Sequence, residues 1–150
     1  MSIKETLQKD LTEAIRGRNE ITSGTIRMVL TAITNEEVAG KGARVLSDEE
    51  VISVLSREAK KRREAAEAFE TAGRTDKAAL EKSEGEVIAK YLPAQLSEAD
   101  IASIIAEAIA STGAQGPADM GKVMGAVKPK IAGKADGGVV SALVKAALNK

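Results

Sequence analysis

The sequence predicts an all-α protein, with a larger amino-terminal unit of about four helices followed by a small three-helix carboxy-terminal unit. Apolar residues recur at i, i+3, i+4 and i+7 through most of the chain. No segment alternates apolar and polar residues with β-branched enrichment and hairpin turns. Ser-x-x-Glu spacings precede the apolar runs and Gly or Pro follows them, which marks helix starts and stops.

Ser2 and Glu5 have the spacing of a capping box and open a helix with Ile3, Leu7, Leu11, Ala14 and Ile15 on one face. Gly17 to Glu20 supply the break. A second helix is expected from about Ser23 to Ala39, with Ile26, Val29, Leu30 and Ile33 inward and Gly40 and Gly42 as its stop. Gly40 to Leu46 reads as a flexible basic loop, after which Ser47 and Glu50 repeat the capping-box spacing. The third helix, about Asp48 to Thr71, is the longest, at roughly 36 Å. Val51, Leu55, Ala59, Ala66 and Phe69 form its apolar face, yet Glu58 and Arg62 fall on that face, four residues apart. Two readings follow. Either the helix outruns its bundle and these side chains reach water or each other, or Arg62 and Arg63 are a contact point for a partner. The run Lys60-Lys61-Arg62-Arg63 is interleaved with Glu58, Glu64, Glu67 and Glu70 at pairing distances, so it reads mainly as a solvated, salt-bridged face. Gly73 to Asp76 turn the chain into a fourth helix carrying Ala79, Leu80, Ser83, Val87, Ile88, Tyr91 and Leu92, which Pro93 is expected to end.

Pro93-Ala94-Gln95-Leu96 separates a charge-rich first part from an alanine- and glycine-rich second part, giving expected domains 1–92 and 97–150 joined by a linker, 93–96. The second, about 54 residues, is near the lower edge of independent folding. Ser97 caps a helix with Ile101, Ile104, Ile105, Ala108 and Ile109 on its core face and Gly113 as its stop. The next helix begins at Asp119-Met120-Gly121-Lys122-Val123-Met124-Gly125, with Met120, Val123, Met124 and Val127 on one face. Its other flank is nearly bare: Gly121 and Gly125 expose backbone beside Lys122 and Lys128, and Pro129 is expected to end it. Interior glycines cost helix stability, so either another helix packs closely there, or a phosphate backbone or partner protein approaches closely. A last helix starts near Asp136 and is expected to bury Val139, Val140, Leu143, Val144 and Ala147, leaving Ser141, Lys145 and Asn149 outside. Between Gly133 and Gly137, Asp136 is placed to cap that helix. A loop offering helix amides to phosphate is the rival reading, which the aspartate's charge opposes.

Composition narrows the function. The 22 basic and 22 acidic residues cancel, which argues against gripping nucleic acid by bulk charge. From Asp119 onward, however, six lysines stand against two aspartates, a local formal charge of +4. Phe69 and Tyr91 are the only aromatics, so base stacking on aromatic platforms is a poor prospect. No apolar run approaches a membrane span, and the start lacks the apolar core of a secretory signal, so the cytoplasm is the expected location, with no membrane partner. Histidine and cysteine are absent, which removes the commonest general base and metal ligand together with thiolate chemistry. Acidic pairs such as Glu36-Glu37 and Asp48-Glu49-Glu50 suit helix-dipole and solubility roles. Gly133-Lys134 superficially resembles a phosphate loop, but Lys128 stands where the upstream glycine belongs and Ala135 where Ser or Thr belongs. No catalytic residue and no cofactor or metal is therefore assigned.

Taken in order, Ile26-Arg27-Met28 leading to Leu30, Leu46-Ser47-Asp48-Glu49-Glu50-Val51, Lys60-Lys61-Arg62 with Glu67-Ala68-Phe69, Ala72-Gly73-Arg74-Thr75-Asp76, Tyr91-Leu92-Pro93-Ala94-Gln95-Leu96-Ser97, Asp119-Met120-Gly121-Lys122-Val123-Met124 and Ala135-Asp136-Gly137 resemble the YqeY family over essentially the whole chain. That family is similar to the helical tail of the B subunit of the glutamine-dependent aspartyl/glutamyl-tRNA amidotransferase, a carbon–nitrogen ligase. The tail helps hold tRNA, while kinase and amidase chemistry belong to other domains and subunits. The resemblance therefore implies tRNA binding without catalysis, with amidotransferase or other tRNA-processing proteins as further partners. It carries over Gly121, Lys122, Gly133, Lys134, Ala135, Asp136 and Gly137 as a recognition surface, which Gly125 and Lys128 extend. Lys134 stands where an arginine is common in the family; it keeps the charge and loses bidentate phosphate geometry.

Overall fold

Capping chemistry sets where the helices begin. In the computed structural model, which describes residues 1–149, the Ser2 hydroxyl accepts the Glu5 N–H at 3.1 Å while the Glu5 carboxylate accepts the Ser2 N–H at 2.7 Å. These bonds open α1 (Ile3–Arg16). The same reciprocal pair between Ser47 and Glu50 opens α3 (Asp48–Thr71), and a Ser97–Asp100 pair opens α5 (Glu98–Thr112). Between them lie α2 (Glu20–Val38) and α4 (Thr75–Ala89). A short 3-10 turn (Pro117–Asp119), α6 (Met120–Ile131) and α7 (Gly137–Leu148) follow. No strand occurs among the described residues, so the protein is all-α. Lys150, counted above among the basic residues, lies outside the described residues. None of the described helices is long and apolar enough to cross a membrane.

The chain divides into two compact units, Met1–Leu92 and Pro93–Lys150. In the first, Leu7, Ile26, Val29, Ile33, Val51, Leu55 and Ile88 form the centre of the core. Helix α2 starts at Glu20, three residues earlier than expected, because the Asn19 side chain accepts the Thr22 N–H. The loop after α2 is tied down. Glu37, itself buried, accepts the Leu46 N–H at 3.1 Å and an ion pair from Lys4 at 2.6 Å, and Leu46 enters the core. In α4 Val87 and Ile88 are buried as expected and Ala78 joins them, whereas Leu80, expected with them, is 46% exposed. The helix also ends at Ala89, four residues before Pro93, and Tyr91 donates its hydroxyl to Asp10 at 2.5 Å. Desolvation, with Asp10 beside it, pushes the Tyr91 hydroxyl above its ordinary pKa.

The second unit packs α5, α6 and α7 around Ile101, Ile105, Val123, Val127, Ile131, Val140 and Val144. Gln95 donates its side-chain amide to the Gly133 carbonyl, and the Leu96 N–H bonds the Lys134 carbonyl at 2.9 Å. Gly113 ends α5 in the left-handed conformation, φ 69°, as its position predicts. Contrary to expectation, α6 runs through Pro129 to Ile131. Burying Ile131 one turn beyond Val127 favours continuation, and Pro129 sits on the exposed side, where the Gly125 carbonyl it cannot bond reaches water. In α7 the buried row is Val140, Val144 and Leu148; Val139, expected inside, is 44% exposed because this row faces the α5–α6 pair at every fourth residue.

Candidate functional site

The α6 helix is anchored by one face only. Val123, Val127 and Ile131 enter the core, Met120 and Met124 lie half-buried at its edge, and Gly121, Gly125 and Lys128 fall on the opposite, exposed side at i, i+4 and i+7. A methyl group built on Gly121 or Gly125 would find no atom within 4 Å. Close packing of another helix of the same unit is therefore not why these glycines are there. The flank is open.

Charge around the flank is unevenly held. Lys122 reaches Asp119 at 3.7 Å, an exposed pair of small energetic weight. Asp119 is otherwise occupied: its carboxylate accepts the Gln115 N–H at 2.9 Å, which holds its pKa below the ordinary value. Lys128 is exposed, while Lys130 lies 3.8 Å from Glu107 of α5.

Beyond α6 the chain turns at Gly133, whose φ of 72° is the left-handed region that only glycine enters readily. Lys134 projects into solvent from a fixed backbone, its N–H bonded to the Ile131 carbonyl at 2.8 Å and its own carbonyl to Leu96. Ala135 packs against the core. Asp136 caps α7 by accepting the Gly138 N–H at 3.1 Å, which is the structural role expected of it, and Gly137 opens the helix. The predicted residues thus fall into two groups. Gly121, Lys122, Gly125 and Lys128 ride on α6, and Gly133 to Gly137 form the turn after it. Because α6 spans about 18 Å, Lys122 near its start and Lys134 past its end cannot hold the same phosphate. The predicted residues are therefore spread along the helix and the turn after it rather than gathered at one point. Among the described residues, no group of three His, Cys, Asp or Glu is disposed to hold a metal ion.

Arg62 and Arg63 belong to the other unit. The Arg62 side chain is only 11% exposed and faces three carboxylates: Glu58 at 3.4 Å, Glu84 at 3.0 Å and Glu81 at 3.8 Å. Its Nε lies at ion-pair distance from Glu84, but its N–H is not aimed along a hydrogen bond. Lys61 joins from outside, 2.9 Å from Glu58. The α3 helix does not outrun its bundle here, since α4 packs along it, and a methyl group built on Gly85 would lie 3.8 Å from the Arg62 Cβ. Arg63 points to the exposed side of α3. Glu81 and Glu84 were not legible as partners because nothing within α4 distinguishes them from surface glutamates.

A family model described as "Yqey-like protein" matches residues 4–148. A Clavispora lusitaniae protein named "Altered inheritance of mitochondria protein 41, mitochondrial" is 34% identical over 91 residues, 61% of this chain and 52% of that protein. An uncharacterized Schizosaccharomyces pombe protein is 30% identical over 97 residues, 64% of this chain and 76% of the relative. The chain thus spans about half the length of the first relative and three quarters of the second.

Proposed function

The chain belongs to the YqeY-like family, which is related to the tail domain of the amidotransferase B subunit, and on that premise we propose that it is a non-catalytic, cytoplasmic adaptor for tRNA. In this reading α6 and the turn after it contact the RNA, directly or alongside a tRNA-processing protein such as an amidotransferase. The observation that supports it is the open flank at Gly121 and Gly125, with Lys122 and Lys128 exposed on the same helix and Lys134 exposed on the turn that follows. Glycines that cost helix stability and on which an added methyl group meets no described atom of their own unit suit close approach by a phosphate backbone. With so few aromatics, contacts go to phosphate and sugar rather than to stacked bases.

Binding is accordingly weak and steeply salt-dependent. Three phosphate contacts at about 0.7 each give a slope of roughly −2 for log affinity against log salt. The test is tRNA binding measured across a salt series with the wild-type chain and with Lys122→Ala, Lys128→Ala and Lys134→Ala combined. The triple variant should flatten the slope; wild-type affinity and slope in a folded triple variant would overturn the assignment.

A further inference from the structure

Cysteine is absent, so the chain's four methionines carry all of its sulfur. They stand in different surroundings. Met1 is 85% exposed, and Met120 and Met124 lie half-buried at the edge of the second core. Met28, on α2, is 42% exposed, and its Sδ accepts a hydrogen bond from Arg62 Nη2 of α3 at 3.4 Å. A thioether is a weak acceptor. The guanidinium that uses it is short of better ones: Nη1 makes only a long bond to Glu58, at 3.4 Å, and the buried Nε has no hydrogen-bond acceptor although Glu84 lies at 3.0 Å. The Arg62 cation is well supplied with counter-charge and poorly supplied with aligned acceptors.

We propose that Met28 is a site of reversible oxidation by peroxide, and that its sulfoxide fastens α2 to the enclosed guanidinium of α3. A sulfur lone pair attacks one peroxide oxygen; the O–O bond breaks, an S–O bond forms and the other oxygen leaves as water, so the thioether is oxidised as the peroxide is reduced. The unbranched side chain turns readily at its exposed end, which brings the new oxygen to the Nη2 N–H already directed at the sulfur. A weak acceptor becomes a strong one, and the hydrogen bond that it receives is charge-assisted. Being neutral, the sulfoxide adds no charge repulsion toward Glu58, Glu81 and Glu84. At Met120 or Met124 the same oxygen would meet an aliphatic core edge instead. A dithiol reductant reverses the change, removing the oxygen as water and leaving as a disulfide. The proposal does not rest on RNA binding.

Graded hydrogen peroxide on the full chain, followed by peptide mass mapping and amide exchange, tests it. Met28 should gain oxygen before Met120 and Met124, and the oxidised chain should exchange about fivefold more slowly where α2 and α3 face each other. A methionine sulfoxide reductase with dithiothreitol should return it to its starting rates. Met28→Leu, which keeps the side-chain volume and cannot form a sulfoxide, should show no slowing under the same treatment. Met28→Gln, whose amide oxygen stands in for the sulfoxide, should exchange slowly without peroxide, and it carries the test if peroxide damages the second unit first. Oxidation of Met28 no earlier than Met120 and Met124, a slowing that persists in peroxide-treated Met28→Leu, or unchanged or faster exchange in the sulfoxide form or in Met28→Gln overturns the proposal.

Discussion

In Met1–Leu92, Ser23, Thr25, Glu37 and Glu58 are buried beside the aliphatic residues, and Arg62, Glu81 and Glu84 are largely enclosed. Every buried residue described in Pro93–Lys150 is apolar. The two units therefore use charge in opposite places. Apolar packing between two helices tolerates small slips along their length, whereas a guanidinium enclosed by carboxylates from both α3 and α4 meets its counter-charges in one register only. Such pairs contribute less to net stability than to fixing geometry, because desolvation offsets most of their attraction. The second unit keeps its charge outside, where it costs little and is available to meet another molecule.

The largest expected effect tests the enclosed charge. Arg62→Met leaves Glu81 and Glu84 without the guanidinium they face, and Glu58 with Lys61 in place of two cations, and should destabilise the first unit by about 3 to 5 kcal/mol. Amide hydrogen exchange should accelerate across α3 and α4 and stay unchanged in α5 to α7. Adding Glu81→Gln and Glu84→Gln should restore part of the loss, since the orphaned charges are then gone. A cost below about 1 kcal/mol, typical of an exposed pair, would erase the contrast between the units.

Acid offers a second, smaller separation. Three glutamates of the first unit titrate below their ordinary value of 4.5. Glu5 is held by the Ser2 N–H, Glu37 by Lys4 and then the Leu46 N–H, and Glu50 by the Ser47 N–H and then Arg44. In the second unit Asp119 is lowered, chiefly by the Gln115 N–H. A carboxyl whose folded pKa is depressed stabilises the fold fully above its unfolded pKa and loses that contribution as pH falls through the folded value. Below about pH 4.5 the first unit should therefore loosen ahead of the second, as read by amide exchange in each, and Glu37→Gln should flatten its acid limb. Simultaneous loosening in Glu37→Gln and wild type would remove these caps from the account.

The same contrast explains what could be read in advance. Helix starts at Ser2, Ser47 and Ser97 were legible because a cap is chemistry between residues three apart. On α4, Val87 and Ile88 were legible as inward, whereas Glu81 and Glu84 were not, because they face Arg62 on another helix. Glu37 was missed for a like reason, its partners being Lys4 and Leu46. Pro129 was misplaced by a rule about local backbone that solvent exposure relaxes. At the candidate site the sequence showed that Gly121 and Gly125 leave a bare flank, but whether another helix covers it depends on the tertiary arrangement.

The smallest expected effect on stability is also the one that separates folding from function most cleanly. Gly125 lies inside α6, exposed, with nothing within 4 Å of an added methyl group. Replacing it with alanine removes backbone freedom from the unfolded chain at no steric cost, so Gly125→Ala should stabilise the second unit by about 0.5 to 1 kcal/mol. The same methyl group stands between the helix backbone and anything that approaches it. If a phosphate backbone lies along the flank, Gly125→Ala weakens tRNA binding while raising stability, and Gly125→Leu weakens it further with no change in charge or salt slope. Urea denaturation and tRNA titration on the same samples read both quantities. Greater stability with undiminished tRNA affinity in both variants would mean that no ligand touches the flank, and the lysines would then act at longer range.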